Sequence, residues 1–287
     1  MAYAPPLVAA LALLAGLRAW FMRTLGRRRN RYERLGRLGT NAHLSFFASV
    51  LGEPPAIRRS LVSKVEVWHE GSDEAVLEDR LFFESVWIDR DYYVHAFSDR
   101  DDAVAAFSVT TRNPKFRPTL RSPGYTLEER SWLLSTLGFR ERRRPLFEVT
   151  LGKTRFAALD EPGIGTKSSA WVGAHNLHYF EAHYYGNPGN YQWYVFSIND
   201  AGAMAWAAPM VGTLMPTEAP WDFDWGFGDD PPYEEMSGWQ EFRHRARVNT
   251  YTVISPTLRV EDYPPRTDLR TYPAAFGPNS AHVRTLP

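Results

Sequence analysis

The sequence contains no cysteine, and this absence excludes several kinds of chemistry. Disulfide bonds, thiolate metal sites, a cysteine nucleophile and the lipidated cysteine of a lipoprotein all require a thiol. Lysine is also scarce, because the 33 basic residues include only Lys64, Lys115, Lys153 and Lys167. The formal net charge is zero, so no broadly cationic surface for nucleic acid is expected.

Motifs that mark nucleotide, calcium and serine-hydrolase sites are also missing. The closest approach to a phosphate loop lies in residues 160–169, where Thr166 separates Gly165 from Lys167 and breaks the Walker A spacing. The patterns G-x-G-x-x-G, G-x-S-x-G and the EF-hand loop do not occur. Because none of these motifs is present, the sequence gives no reason to expect a cofactor, a bound metal or a catalytic residue.

The chain does have ample apolar material for a folded body. Its 287 residues are 44% hydrophobic and include 10 Trp, 14 Tyr and 17 Phe. This composition excludes a disordered or fibrous chain and allows one large domain or two small ones.

Residues 1–22 have the pattern of a single membrane-spanning helix. From Pro5 to Met22 the chain is apolar except for Arg18, and about 20 mostly apolar residues cross a bilayer. Trp20 and Phe21 suit the membrane interface. A cleavable signal peptide would carry its basic residues before the apolar stretch, and a core helix would show regular polar positions. We therefore expect a membrane anchor that binds the lipid bilayer.

A strongly basic juxtamembrane segment, residues 23–38, follows the predicted anchor. Between Arg18 and Arg37 there are eight arginines and one glutamate. Such a segment suits anionic headgroups and keeps its own side of the membrane in the cytoplasm. We expect a single-pass protein of a bacterial inner membrane with a cytoplasmic body. The predicted membrane-surface residues are Arg23, Arg27, Arg28, Arg29 and Arg31.

The body has the pattern of an α+β fold, with helices packed on an antiparallel β-sheet. Residues 41–51 predict a helix capped by Thr40 and ended by Gly52, and four apolar positions should face a core: Leu44, Phe47, Val50 and Leu51. Strands are predicted at 64–69, 81–88, 92–97, 103–109, 146–151, 171–185, 192–198 and 203–207. A capping box at Thr126 and Glu129 predicts a second helix, which runs to Leu137.

The order of these elements suggests two related helix-plus-sheet units, at 39–122 and 123–255, followed by a Pro/Arg-rich tail at 256–287. Each predicted helix ends in Leu-Gly and leads into strands and an aromatic hairpin, with turns at 99–102 and 199–202. Both features are common in unrelated proteins, so chance similarity stays open.

Two segments are candidate functional sites, and each also has a simpler structural interpretation. His175, Glu181 and His183 have side chains that bind zinc, and in a strand all three would share one face. Their spacing matches no known zinc motif, so half-buried strand histidines are the simpler interpretation.

Residues 217–238 form an acidic aromatic loop with seven acidic residues and no Lys or Arg. In this loop Trp221, Asp222, Asp224 and Trp225 could receive an arginine-rich partner. The partner could also be internal, at Arg243, Arg245 and Arg247. An ordinary strand with a core face and a wet face remains the alternative.

The predicted anchor, the LGEPP helix end and the stretch DYYVHAFSDRDDAVAAFSVTTRNPKFRPTL together resemble an uncharacterised family of bacterial membrane-anchored proteins of unknown function. A helix that ends in Leu-Gly-x-Pro before a sheet is also similar to the folds of outer-membrane assembly lipoproteins and lactamase-inhibitor proteins. The first resemblance implies a membrane-anchored location, and neither implies an activity.

The sequence therefore predicts a membrane-anchored binding or scaffolding module for an unknown protein partner, without catalytic activity. The alternative is a membrane-tethered, metal-dependent hydrolase that uses His175, Glu181 and His183.

Overall fold

A computed structural model describes most of the body of the protein. The described residues are 16, 26, 29–68, 75–122, 125–128, 142–145, 147–159, 166–172, 177–187, 190–204, 239–255, 277–278 and 280–283. Their architecture is of the α+β class, with a large antiparallel sheet and few helices.

Twelve strands and several short helices make up the described fold. The strands are β1 (Ile57–Trp68), β2 (Ala75–Ile88), β3 (Tyr92–Ser98), β4 (Val104–Thr111), β5 (Thr119–Arg121), β6 (Tyr125–Glu128), β7 (Arg142–Pro145), β8 (Glu148–Thr150), β9 (Thr166–Val172), β10 (Leu177–Asn187), β11 (Asn190–Ile198) and β12 (Thr250–Ile254). The helices are α1 (Leu44–Leu51), a 3-10 helix (Phe156–Leu159), α2 (Trp239–Arg245) and α3 (Ser280–Val283), and residues 29–35 are also helical.

Eight of the strands form one sheet in the order β1-β2-β3-β4-β12-β11-β10-β9. Every neighbouring pair in this sheet is antiparallel. Strands β5 with β8 and β6 with β7 form two small ribbons beside it. The strands from the two halves of the chain meet at the β4–β12 pair, which is the centre of the sheet.

The sheet has two faces of different character. On the face that we call the front face, Phe47 of α1 packs edge-on against Phe107 of β4, with ring centroids 5.5 Å apart, and also contacts Trp87. Because side chains alternate along a strand and cross-strand partners share a face, the front face also carries Val94, Val109, Phe196, Tyr251 and Val253. These residues form the main apolar core.

The helical residues 29–35 belong to the folded body. Leu35 is buried in the main core, and the ring of Tyr32 lies 4.7 Å from the ring of Phe116. In the described part of the chain, no helix combines the length and the apolar character needed to cross a membrane. Apart from Gly16, the predicted anchor at 1–22 lies outside the described residues, so the anchor stays a prediction.

The first predicted helix is confirmed, although it begins later than expected. All four predicted core positions are buried, and Gly52 ends the helix in the left-handed conformation at φ 85°. The helix begins at Leu44, where the cap is the imidazole of His43 and not Thr40. Residues 41–43 do not join the helix because Asn41 N bonds to Val104 O at the start of β4, and His43 forms a bridge with Ala103 just before that strand.

The predicted helix start at Thr126 is wrong. Thr126 lies in β6, opposite Arg144 of β7, so the local capping pattern is overridden by strand pairing. The predicted strand at 171–185 covers the end of β9 and most of β10, which are two strands paired with each other.

The turn after β11 is present, and residues 203 and 204, the described part of the strand predicted at 203–207, are not in a strand. The predicted hairpin at 199–202 bonds Gly202 N to Asn199 O, and Ala203 N then bonds to Thr111 O on β4. The neighbour of β11 is β12, because Asn249 bonds to both backbone groups of Asn199 and aligns the strand that follows it. In the described chain, residues 203–204 form a turn.

The end of the tail returns to the sheet. The amide of Asn199 donates to the carbonyl of Pro278 at 3.0 Å, and Ser280 bonds to Asp200. Val283 is buried in a small cluster with Val86 and Tyr93. These contacts are on the face opposite α1, which we call the back face.

Candidate functional site

The back face of the sheet carries a continuous group of buried polar residues at its centre, and we call this group the polar strip. The polar strip consists of His95, Ser108, Thr110, Ser197, Thr250 and Thr252, none of which has measurable exposed surface. Hydroxyl and imidazole groups are uncommon at fully buried positions, because each loses its hydrogen bonds to water. The strip is therefore the most unusual part of the described core.

The strip is built by strand register across the centre of the sheet. In one row His95 lies opposite Ser108, which in turn lies opposite Thr252. The neighbouring row consists of Thr110, Thr250 and Ser197. Because these rows cross the β4–β12 pair, both halves of the chain contribute to the strip.

Part of the strip has unmet hydrogen-bonding capacity. The hydroxyls of Thr250 and Thr110 lie 2.8 Å apart and bond to each other. Nδ1 of His95, Oγ of Ser108 and Oγ of Ser197 have no hydrogen-bond partner in the described structure. Each buried polar group left in this state costs about 1–3 kcal/mol, so three of them together call for an explanation.

One side of the strip is held by a chain of charged contacts. Nε2 of His95 lies 2.7 Å from Oε1 of Glu84, and the guanidinium of Arg59 donates to Oε2 of the same carboxylate. Glu84 and His95 are buried, and Arg59 lies partly exposed on the edge strand β1. The three residues therefore form a line of contacts from the partly exposed Arg59 at the edge of the sheet to the buried His95 near its centre.

These contacts determine the charge of Glu84. Burial raises its pKa, but the hydrogen bonds and charges of His95 and Arg59 outweigh burial and lower the pKa to about 2. The ionised carboxylate can only accept hydrogen bonds, so Nε2 of His95 must carry the hydrogen between them. Nδ1, the second ring nitrogen, points away from Glu84 because the two ring nitrogens lie on different sides of the imidazole.

A second buried ion pair lies on the front face. Arg243 of α2 donates from Nε to Oε1 of Glu181 at 2.7 Å and from Nη2 to Oε2 at 3.2 Å. Nη2 also lies 3.2 Å from the carbonyl of Phe156. This two-point contact fixes α2 and the 3-10 helix against β10, which indicates a structural role.

The predicted metal ligands are only partly described. Glu181 and His183 share the front face, as the strand alternation predicts, with His183 Nε2 3.9 Å from Glu181 Oε2. His175 lies outside the described residues. No three His, Asp or Glu side chains in the described chain are grouped to hold a metal ion. A cation at Glu181 would also have to compete with the guanidinium of Arg243.

The predicted membrane-surface arginines differ in their surroundings. Arg29 is largely exposed and bonds to Glu33 at 2.8 Å. Arg31 is only one-third exposed, and its guanidinium contacts the carboxylates of Asp89 and Asp91 at the β2–β3 turn. Because Arg31 pairs with the body, it is less available to lipid headgroups than the sequence suggested. Arg23, Arg27 and Arg28 lie outside the described residues.

The acidic aromatic loop with Trp221, Asp222, Asp224 and Trp225 also lies outside the described residues, so its role stays a prediction. Its suggested internal partners have other contacts in the described chain. Arg243 bonds to Glu181, Arg245 pairs with Glu241, and Arg247 lies 3.5 Å from the carbonyl of Gly152.

The sequence interpretation missed the polar strip, although a pattern was present. In the segments FSVTT and NTYTVIS, polar residues alternate with Phe107, Val109, Tyr251 and Val253. Such alternation ordinarily indicates a strand with one wet face, so it does not reveal that the polar face is buried.

Comparisons with known proteins found no match to this chain. No protein-family model matches it, and neither a curated protein nor a solved structure is significantly similar to it.

Proposed function

We propose that this protein is a membrane-tethered binding module, in which residues 1–22 anchor the chain in a bacterial inner membrane and the α+β body binds a protein partner in the cytoplasm. The observation that carries the proposal is the docking of the basic segment on the body. The described chain from residue 29 onward, which residues 23–28 separate from the proposed anchor, is part of the folded structure, so an anchor at 1–22 would hold the body near the membrane.

The docked segment is held by apolar and ionic contacts. Leu35 and Leu38 are buried in the main core, and the hydroxyl of Tyr32 accepts a hydrogen bond from the backbone of Arg117 at 3.1 Å. Arg31 adds its ion pairs with the β2–β3 turn. These contacts fix residues 29–38 relative to the sheet.

The distance from the proposed anchor to the body is short. Only residues 23–28 separate Met22 from the helical residues 29–35. Even a fully extended chain spans at most about 25 Å over this interval, and a helix would span about 10 Å. The body would therefore work close to the membrane surface, beside anionic lipids and membrane proteins.

Fractionation of the full chain tests the anchor. We expect the full chain in the membrane pellet, resistant to high salt and released by detergent, because apolar insertion does not depend on ionic strength. A variant without residues 1–22 is the matched control and should stay in the supernatant. Full-length protein in the supernatant without detergent contradicts the proposal.

The absence of native cysteine makes the orientation measurable with one introduced thiol. Val62 is 59% exposed, so Val62→Cys gives a single reactive site on the body. A membrane-impermeant maleimide should label this thiol in lysed cells and not in intact spheroplasts. Labelling from outside contradicts a cytoplasmic body.

We place the protein partner at the acidic aromatic loop. Replacing Trp221 and Trp225 with Ala should abolish capture of the partner without lowering the melting temperature, because aromatic anchors dominate binding free energy. Asp222→Asn with Asp224→Asn should weaken capture in a salt-dependent way. A lower melting temperature for the tryptophan variant would assign these residues to the core and contradict the proposal.

We also propose that the two halves of the body are related helix-plus-sheet units. Each half supplies four strands to the common sheet, and in each half the last of these four strands lies at the centre. This order supports a duplicated unit because the same arrangement is repeated on the two sides of the β4–β12 pair.

The metal-dependent hydrolase is the less favoured alternative. The common face of Glu181 and His183 favours it, but the two-point bond from Arg243 already neutralises the carboxylate. Stoichiometric zinc or manganese in the purified full chain, lost in His183→Ala, would favour the hydrolase over the binding module.

A further inference from the structure

We propose that the polar strip is a binding site for a small, uncharged molecule that carries hydroxyl or amide groups. Three atoms of the strip point to such a ligand: Nδ1 of His95, Oγ of Ser108 and Oγ of Ser197. All three residues are fully buried, and all three atoms lack a hydrogen-bond partner in the described structure. None of the three residues belongs to the predicted membrane anchor or to the acidic aromatic loop.

The position of the three atoms distinguishes the strip from scattered buried serines. His95 and Ser108 lie directly opposite each other on β3 and β4, and Ser197 lies in the next row across β12. In contrast, Ser85 is a fully buried serine with an unpartnered hydroxyl on the front face, where its neighbour on β3 is Ala96. The strip brings three such atoms, one of them an imidazole nitrogen, to the centre of one surface of the sheet.

The surrounding charges select an uncharged ligand. The carboxylate of Glu84 is already bonded to both Arg59 and His95, so its charge is compensated inside the protein. The strip itself offers hydroxyls and one imidazole nitrogen, which exchange hydrogen bonds with hydroxyl or amide groups. A charged ligand would remain without a counterion in this buried environment and would bind poorly.

The C-terminal segment limits the size of the ligand. Gly277 lies against the strip so closely that a Cβ at this position would approach Oγ1 of Thr110 to 2.6 Å. The bonds of Pro278 and Ser280 to Asn199 and Asp200 hold the segment there. A ligand must therefore fit beside this backbone, which favours a molecule of a few heavy atoms.

The chain without cysteine offers a direct test, because Ser108→Cys introduces one thiol into the strip. The probe is 2-hydroxyethyl methanethiosulfonate, an uncharged hydroxyl-bearing reagent that forms a mixed disulfide and releases methanesulfinate. The full chain is labelled in detergent under native conditions, and intact mass reports the rate. The matched control is Ser85→Cys, which is equally buried on the front face.

We expect Ser108→Cys to react at least about tenfold faster than Ser85→Cys, because a ligand site opens locally and a packed core opens only on unfolding. Reagents that carry a sulfonate or a trimethylammonium group should react at least about tenfold more slowly than the uncharged reagent at Ser108→Cys. Ser197→Cys gives the same comparison if the first variant does not fold.

Two outcomes overturn the proposal. Equal labelling rates for Ser108→Cys and Ser85→Cys would show that the strip is part of the packed core and not a ligand site. Equal rates for charged and uncharged reagents at Ser108→Cys would show that the strip does not select uncharged molecules. The membrane anchor is not involved in either result, so failure here leaves the tethered binding module untouched.

Discussion

Nε2 of His95 donates to Oε1 of Glu84 across strands β3 and β2 over 2.7 Å, and both side chains are buried. Arg59 holds the second carboxylate oxygen from the edge of the sheet. Only one ring nitrogen of His95 is held by a hydrogen bond, because Nδ1 has no partner in the described structure. Because His95 belongs to the polar strip, the contact that stabilises the sheet also orients a residue of the candidate ligand site.

The first prediction concerns acid stability. The pKa of Glu84 is about 2 in the folded protein, below its ordinary value of 4.5, so the unfolded chain takes up this proton first as the pH falls. The ionised carboxylate stabilises the fold above about pH 5, and this stabilisation is lost as the pH falls through about 2. The difference in unfolding free energy between the wild type and Glu84→Gln should shrink by about 2–3 kcal/mol over this range, measured by urea denaturation.

The control for acid stability is Glu148→Gln, which removes an exposed carboxylate bonded to Arg121. Its unfolding free energy should stay within about 1 kcal/mol of the wild type at neutral pH, because exposed ion pairs contribute little. A difference between the wild type and Glu84→Gln that does not change with pH would contradict an ionised Glu84.

The second prediction concerns the buried pair of Glu181 and Arg243. Arg243→Met leaves the carboxylate buried without its cation, which should cost about 3–5 kcal/mol of unfolding free energy. Adding Glu181→Gln removes the uncompensated charge, so the double variant should be more stable than Arg243→Met alone. Chemical denaturation of the three variants and the wild type measures the coupling.

Arg245→Met is the matched control for this pair. Arg245 lies two residues along the same helix and forms an exposed ion pair with Glu241, so its loss should cost no more than about 1 kcal/mol. Equal losses for Arg243→Met and Arg245→Met would show that the Glu181 contact carries no special stability.

Local patterns in the sequence predicted α1 well and the centre of the sheet poorly. The helix is encoded by four apolar residues at helical spacing and by Gly52, all within a short segment. The pairing of β12 with β4 and β11 joins residues that are far apart in the sequence, such as Thr250 and Thr110. Nothing local specifies this pairing, and the turn at 199–202 suggested a different partner for β11.

The candidate site could not be predicted for a related reason. Ser108 and Thr252 alternate with apolar residues, as they would in a strand with one face in water. Burial of the neighbouring row depends on an element distant in the sequence, because Gly277 of the C-terminal segment lies against Thr110 and Thr250. The burial of the His95 imidazole could not be predicted either, because its partner Glu84 lies on another strand.

The third prediction concerns the docked basic segment. Leu35→Ala should cost about 2–5 kcal/mol, because it leaves a cavity in the main core. The same variant should be cut faster by trypsin at the arginines of residues 29–37, since local release exposes the segment. Glu33→Ala is the control, because Glu33 is exposed and pairs only weakly with Arg29. An unchanged rate of cleavage in Leu35→Ala would mean that the segment does not depend on this contact.

The last prediction concerns the C-terminal segment over the polar strip. Gly277 has φ +84°, where a side chain is strained, and an added Cβ would lie 2.6 Å from Thr110 Oγ1 and 3.1 Å from Asn199 Nδ2. Gly277→Ala should therefore cost about 1–3 kcal/mol, measured by urea denaturation. Gly39→Ala is the matched control, because a Cβ at Gly39 meets no atom within 4 Å, and it should be close to neutral. Since the strained contact falls on the strip itself, Gly277→Ala should also speed labelling of Ser108→Cys. Unchanged stability together with unchanged labelling would mean that the segment does not hold the strip closed.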